Sequence, residues 1–193
     1  MATLPSPYLT VDQYIELERK LDAKFEYYQG QVYAMSAASP AHVFIQSNLV
    51  RHPGNQLEGT GCSALGPDLR VHVESSGLYT YPDLTIVYGP LTLDKKNGAT
   101  NPRVLIEVLS PSTSRYDRVG KFEHYRQIAS LEEYVLVKQA SFAIDRHRRL
   151  PDGRWELTQF LGEDAVLELA SVHISVPLRQ IYSNVPFELA EQP

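Results

Sequence analysis

Tyr81-Pro82-Asp83-Leu84-Thr85-Ile86-Val87-Tyr88 and Arg103-Val104-Leu105-Ile106-Glu107-Val108-Leu109 are the two stretches whose reading decides the fold. The first is rich in β-branched and aromatic residues and is closed by Gly89-Pro90, so it reads as a strand with Asp83 at its start. The consecutive apolar residues of the second suit a strand buried on both faces, and Glu107 interrupts that run. An ionised carboxylate in such a place is costly unless something compensates it. A structural ion pair, a strand end that reaches solvent or a bound cation would each do so.

Beyond the second strand, Ser110-Pro111-Ser112-Thr113-Ser114 turns the chain, and Tyr116 to Ala129 reads as a helix with Val119, Phe122, Tyr125 and Ala129 roughly on one side. Asp117 and Lys121 share a different face, and taken by themselves their i,i+4 spacing is that of an ordinary surface ion pair. Their placement adds another possibility, because the helix starts just past the strand that carries Glu107 and its first turns can lie over that carboxylate. Ser110, Ser112 and Thr113 have no histidine near them in sequence and no glycine-flanked elbow, so they read as turn and capping residues rather than nucleophiles.

These residues resemble the PD-(D/E)xK, or restriction-endonuclease-like, superfamily, and within it the bacterial putative restriction endonuclease family. The matching stretches are Pro82-Asp83 with its apolar strand, Ile106 to Thr113, then Asp117, Lys121 and Tyr125, and Glu133-Tyr134-Val135-Leu136-Val137. Phe25 to Val32 resembles the family's opening hairpin, and His42 falls where its first long helix carries a histidine. The likeness runs from about Thr10 to Val137. The run from Ile106 to Thr113 with its downstream lysine is its specific part, since a Pro-Asp pair also occurs at Pro67-Asp68. One departure from the superfamily's common pattern is plain: two residues after the glutamate stands Leu109, not lysine. The resemblance implies that Lys121 supplies the amine from the helix.

The resemblance also implies a metal-dependent endonuclease that hydrolyses DNA phosphodiester bonds. Asp83 and Glu107 would bind Mg²⁺ or Mn²⁺, hard cations that prefer oxygen ligands. The Val108 carbonyl would add a ligand, Glu26 would be a further one, and Lys121 would place the water or the scissile phosphate. Glu26 also reads as a solvent-facing position of its hairpin. His42, a lone helical histidine, reads on its own as a satisfied core or surface residue rather than a catalytic base, and Asp68 as a strand-entry residue that could also reach the cleft from a neighbouring strand. Arg146-His147-Arg148-Arg149 is the densest basic cluster, either a phosphate contact or a solvated strand end. Two other functions stay open: a non-cleaving nucleic-acid or protein-interaction module on the same fold, and a metal-assisted hydrolase of small phosphate esters.

Composition bounds these readings. The 193 residues, 43% hydrophobic, suffice for a sizeable core, and one domain over 1–193 is expected. Met1 to Pro5 lacks the basic start and apolar stretch of a signal peptide, no run is long enough to span a membrane, and Cys62 is the only cysteine. A cytoplasmic protein is the simplest reading. A formal charge of −5 argues against strong, indiscriminate nucleic-acid binding. Arg103, Arg115, Arg118, Lys121 and Arg126 nevertheless gather round the candidate site in sequence, so weak or structure-selective DNA binding is expected, by a homodimer whose two-fold-related sites cut both strands.

Elsewhere, Thr10 with Gln13 reads as a capping box before a first helix, Gln29-Gly30 as the turn of a hairpin, and Ser39 as the cap of a helix that Pro53-Gly54 breaks or kinks. Further strands are expected at Cys62 to Leu65, Leu69 to Val73, Glu133 to Val137, Ser141 to Arg146 and Trp155 to Phe160, with a short final helix from Pro177 to Tyr182. Interspersed helices and strands predict an α/β (α+β) fold, a central mixed sheet flanked by helices.

Overall fold

The computed structural model describes residues 8–35, 37–110 and 114–189; Pro111, Ser112 and Thr113, expected to turn the chain, lie outside them. Helix α1 (Val11–Leu21) opens with the reciprocal Thr10 and Gln13 cap. The hairpin β1 (Phe25–Tyr28) and β2 (Gln31–Ala34) turns through Gln29 and Gly30, both at positive φ, the geometry that matches the twist of a two-residue hairpin. Helix α2 (Pro40–Leu57) starts at the Ser39 cap. It passes through Pro53 instead of ending there, because Leu49, Pro53 and Leu57 are all buried and that packing offsets the hydrogen bond proline cannot give.

Strands β3 (Cys62–Leu65), β4 (Val71–Val73), β5 (Leu78–Thr80), β6 (Leu84–Tyr88) and β7 (Pro102–Leu109) follow. A π-helix (Tyr116–Lys121) then runs into a single α-turn, α3 (Phe122–Tyr125). After β8 (Glu133–Lys138), β9 (Ala143–Arg149) and β10 (Trp155–Leu161) come the pair β11 (Val166–Leu169) and β12 (Ile174–Pro177) and helix α4 (Leu178–Ile181). The expected helix is therefore shorter than Tyr116 to Ala129, and Val119, assigned to its apolar side, is 61% exposed. The π-turn shifts the residues that follow it relative to the α-helical wheel. No helix among the described residues is long and apolar enough to cross a membrane.

Strand order β10-β9-β8-β7-β6-β3 makes a six-stranded sheet in which only β7 and β8 run parallel, and β2-β1-β5-β4 makes a second, antiparallel sheet. Alternation along the central strands builds both faces. Val104, Ile106, Val108, Leu84, Ile86, Val135 and Val137 enter one core with α2, β11, β12 and α4. Leu105, Leu109, Tyr134 and Leu136 enter another with Tyr125, Leu131 and the apolar side of β4 and β5. The parallel β7–β8 pair requires a crossover, and the π-helix and α3 are that crossover, laid over the second face. Glu107, two residues from both Leu105 and Leu109, lies on that same face.

Candidate active site

Strand register brings the first two site residues together. Leu84 lies opposite Ile106, so Asp83, one residue earlier, sits beside Glu107. Asp83 Oδ2 accepts the Val108 N–H at 2.7 Å. Within a strand the N–H and C=O of one residue point to the same side, so the Val108 carbonyl lies on the β6 side of β7. Asp83 Oδ1 accepts from His42 Nε2 at 2.8 Å and Gln46 Nε2 at 2.6 Å.

The crossover supplies the amine. Lys121 Nζ lies 3.0 Å from Glu107 Oε1, 2.8 Å from Glu26 Oε1 and 3.3 Å from Asp117 Oδ1. Tyr125 donates to the same Glu107 oxygen at 2.9 Å, and Thr80 Oγ1 donates to Glu26 at 2.6 Å. The Asp117 carbonyl accepts from the Tyr134 hydroxyl at 3.0 Å, which ties the π-helix to β8. The Tyr116 ring stands 6.0 Å from the ammonium, and a Cβ at Gly120 would meet that ring at 2.5 Å, so glycine is what lets the tyrosine pack there.

Asp83 (8% exposed), Glu107 (5%), Lys121 (4%), Glu26 (2%) and Asp117 (2%) are all buried. The surface-pair reading of Asp117 and Lys121 and the solvent-facing reading of Glu26 are thus overturned. Glu26 alternates with Phe25 and Tyr27, whose rings pack under α1, so its own side chain turns inward.

The chain has relatives among known proteins. Residues 11–179 match the Uma2 family, described as putative restriction endonuclease. The chain belongs to that family. It is 34% identical over 183 residues to the uncharacterized protein slr1290 of Synechocystis sp., covering 95% of this chain and 96% of that protein. A second Synechocystis protein, the uncharacterized sll1609, is 29% identical over 176 residues, covering 90% and 99%. Among solved structures, the chain shares its fold with a putative nuclease belonging to DUF820 from Anabaena variabilis, at a TM-score of 0.71 and 18% identity over 91% of this chain and 98% of that one.

Burial and charge set the electrostatics of this Uma2 site. Desolvation pushes the Glu107 carboxyl up to about 8; Lys121 pulls it down, while Asp117, Asp83 and Glu26 push it further up. Burial alone would depress the Lys121 ammonium, but Glu107, Glu26 and Asp117 outweigh it and hold the amine well above its ordinary value. Burial likewise raises Tyr125, which stays a neutral hydrogen-bond donor to Glu107.

Three carboxylates thus share one ammonium with a fourth, Asp83, beside them, and Glu26 Oε2, buried, has no hydrogen-bond partner among the described residues. Asp83, Glu107, Glu26 and the Val108 carbonyl are oxygen donors, the type that a hard divalent cation prefers. No group of three or more His, Cys, Asp or Glu among the described residues stands arranged round a metal position; the side chains close instead on Lys121. The chemistry of the donors fits a cation, and Lys121 is the tethered positive charge that any such ion would share them with.

The remaining candidates lie elsewhere. Asp68 pairs with Lys24 at 2.7 Å on the surface. Arg146 is buried against Glu133 and the Glu168 carbonyl, and Arg149 donates to the carbonyls of Arg126 and Ile128, so half the basic cluster is structural. Arg103, Arg118 and Arg126 pair with Glu132, Asp145 and Glu123, which leaves Arg115 as the exposed cation of that sequence group without an ion pair among the described residues. Sequence reasoning missed Gln46, which no signal but its four-residue spacing from His42 marks, and Thr80, on a short strand that no pattern announces.

Proposed function

We propose that this Uma2 protein is a metal-dependent endonuclease that hydrolyses DNA phosphodiester bonds. Family membership supports the nuclease reading, and one observation carries the rest: Asp83, Glu107 and Lys121, from the entrance of β6, from β7 and from the crossover, converge in a single buried group with excess negative charge. Asp83, Glu107, Glu26 and the Val108 carbonyl would hold Mg²⁺ or Mn²⁺. The bound ion would lower the pKa of a water and stabilise charge on the leaving oxygen.

The chain's own residues do the rest. Tyr125 and Lys121 hold Glu107 from one side, and His42 and Gln46 hold Asp83 from the other, so both carboxylates are fixed before a phosphate arrives. The Lys121 ammonium, held charged by its carboxylates, is the donor that meets a non-bridging phosphate oxygen once it gives up one of its acids. The dry surroundings strengthen these interactions.

Incubation of supercoiled plasmid with the protein in Mn²⁺, Mg²⁺ or chelator tests this. Metal-dependent nicking lost in Asp83→Ala, Glu107→Ala and Lys121→Ala is expected. Nicking that survives all three substitutions, or that ignores chelator, would remove the site or the metal from the reading.

A further inference from the structure

We propose that His42 and Gln46 are positioning residues that clamp Asp83 from the opposite side of the sheet and set the affinity of the site for its divalent cation. The inference rests on the metal-dependent reading above.

The geometry is two-sided. Lys121, Tyr125, Asp117 and Glu26 reach the site from the layer that holds Leu105 and Tyr134. His42 and Gln46 come from α2, whose Ala41, Ile45 and Leu49 pack on the other face. Asp83, at the entrance of β6, is the carboxylate that both layers can reach. The Ser39 hydroxyl accepts the His42 N–H at 3.2 Å, which fixes where α2 begins and so where His42 stands, and Gln46 follows one turn later on the same side.

A carboxylate oxygen only accepts, so both Nε2 atoms must donate, which fixes the orientation of the Gln46 amide and the position of the His42 proton. With the Val108 N–H, three donors engage the Asp83 carboxylate. An ionised carboxyl group offers about four lone-pair positions. Three occupied positions leave one, so Asp83 is held in a single rotamer with one lone pair to give, a ligand through one oxygen. The hydrogen bonds of both α2 side chains at the site go to Asp83, not to Lys121 or Glu107, so their effect runs through Asp83. Partners that orient metal ligands in this way are worth about 10- to 100-fold in metal affinity.

Titration calorimetry with Mn²⁺ alone tests the clamp, on the full chain and on Gln46→Ala, His42→Ala, His42→Gln and Gln46→Glu, with thermal melts in chelator beside each. Expected are Mn²⁺ affinities about 10- to 100-fold weaker for Gln46→Ala and His42→Ala, with melting temperatures in chelator close to that of the unaltered protein. His42→Gln, which keeps a donor, recovers part of the loss. Gln46→Glu, which replaces a donor by a charge that Asp83 repels, weakens binding too; tighter binding there would make position 46 a ligand and overturn the clamp. Unaltered Mn²⁺ affinity in both alanine variants, in a protein whose affinity falls in Asp83→Ala, overturns the clamp and leaves the nuclease reading intact. Absence of Mn²⁺ binding by the unaltered protein overturns both.

Discussion

Two buried glutamates on neighbouring strands have opposite surroundings. Glu133, at the start of β8, is fully buried, and its oxygens accept from the Ala170 and Ser171 N–H groups and the Ser171 hydroxyl, with Arg146 3.7 Å away. Each oxygen has its donor and the charge has a counter-charge. Glu107, on β7, takes two donors on Oε1, Lys121 and Tyr125, and shares that ammonium with two other acids. Glu133 is what a carboxylate looks like when it joins a sheet to a loop; Glu107 is what one looks like when charge is left over for something else to balance. Burial of an acid is common to both, and what separates them is whether the charge balance closes.

The largest effect expected from that contrast is on catalysis. Asp83→Ala, Glu107→Ala and Lys121→Ala should each reduce the plasmid nicking rate by about a thousandfold or more, roughly 4 kcal/mol of transition-state stabilisation. Glu133→Gln should leave that rate within a fewfold while damaging the fold.

Next comes stability under one and the same substitution. At Glu133, the amide NH₂ of glutamine would face a backbone donor, so Glu133→Gln should cost about 1.5–3 kcal/mol in urea unfolding. At Glu107, whose surroundings already favour the protonated acid, glutamine can offer its carbonyl to Lys121 and Tyr125, so Glu107→Gln should not lower stability in chelator. A comparable loss at both positions would erase the distinction between them.

Cation binding should sharpen it further. Mn²⁺ at about a hundred times its dissociation constant should stabilise the unaltered protein by about 2.7 kcal/mol. The Glu107→Gln protein, measured at the same concentration, should lose most of that gain, and the Glu133→Gln protein should keep it. Tyr125→Phe, which removes one of the two donors on Glu107 Oε1, should slow nicking by about tenfold with little change in fold.

The smallest effect concerns Asp145, a buried acid of β9 paired with the half-buried Arg118. Burial works against the charged form of Asp145, yet hydrogen bonds from Arg118 and Gln159 hold its carboxyl below the usual carboxylate range. A depressed folded-state value means stability that is present above the unfolded value and lost as pH falls through the folded one. Asp145→Asn should therefore cost about 1 kcal/mol at neutral pH, and the gap to the unaltered protein should close as pH falls below the carboxylate range.

The central strands and their two faces are legible in the sequence because those runs are apolar at consecutive positions, and Glu107 is conspicuous as the charge among them. The hairpin turn and both helix caps are equally plain, since Gln29-Gly30, Thr10 with Gln13, and Ser39 act through local chemistry. Other features are not local. The signal at β5 is too short to read, because its three residues, Leu78 to Thr80, make a strand only where the hairpin lies beside them. The pair β11 and β12 escapes the sequence reading as well, although Leu167, Leu169, Ile174 and Val176 are buried in the core. Asp117 with Lys121 has the spacing of a surface pair, and only the crossover's placement turns that pair inward. Gln46 reads as one more polar residue on a helix until Asp83, at the entrance of β6, comes beside it.

The π-turn between Tyr116 and Lys121 governs how this site can be altered. Asp83 and Glu107 are placed by pairing, so the sheet keeps them in step whatever happens to the loops. Lys121 is placed by counting, because the number of residues in one widened turn decides which way it points. Each residue of an ordinary helix advances about 100°. Removing one residue from this turn would force a choice between leaving Lys121 and Tyr125 on Glu107 and leaving Asp117 beside them. The amine and the acids are thus written in two different arithmetics, and a one-residue change can silence the first without disturbing the second.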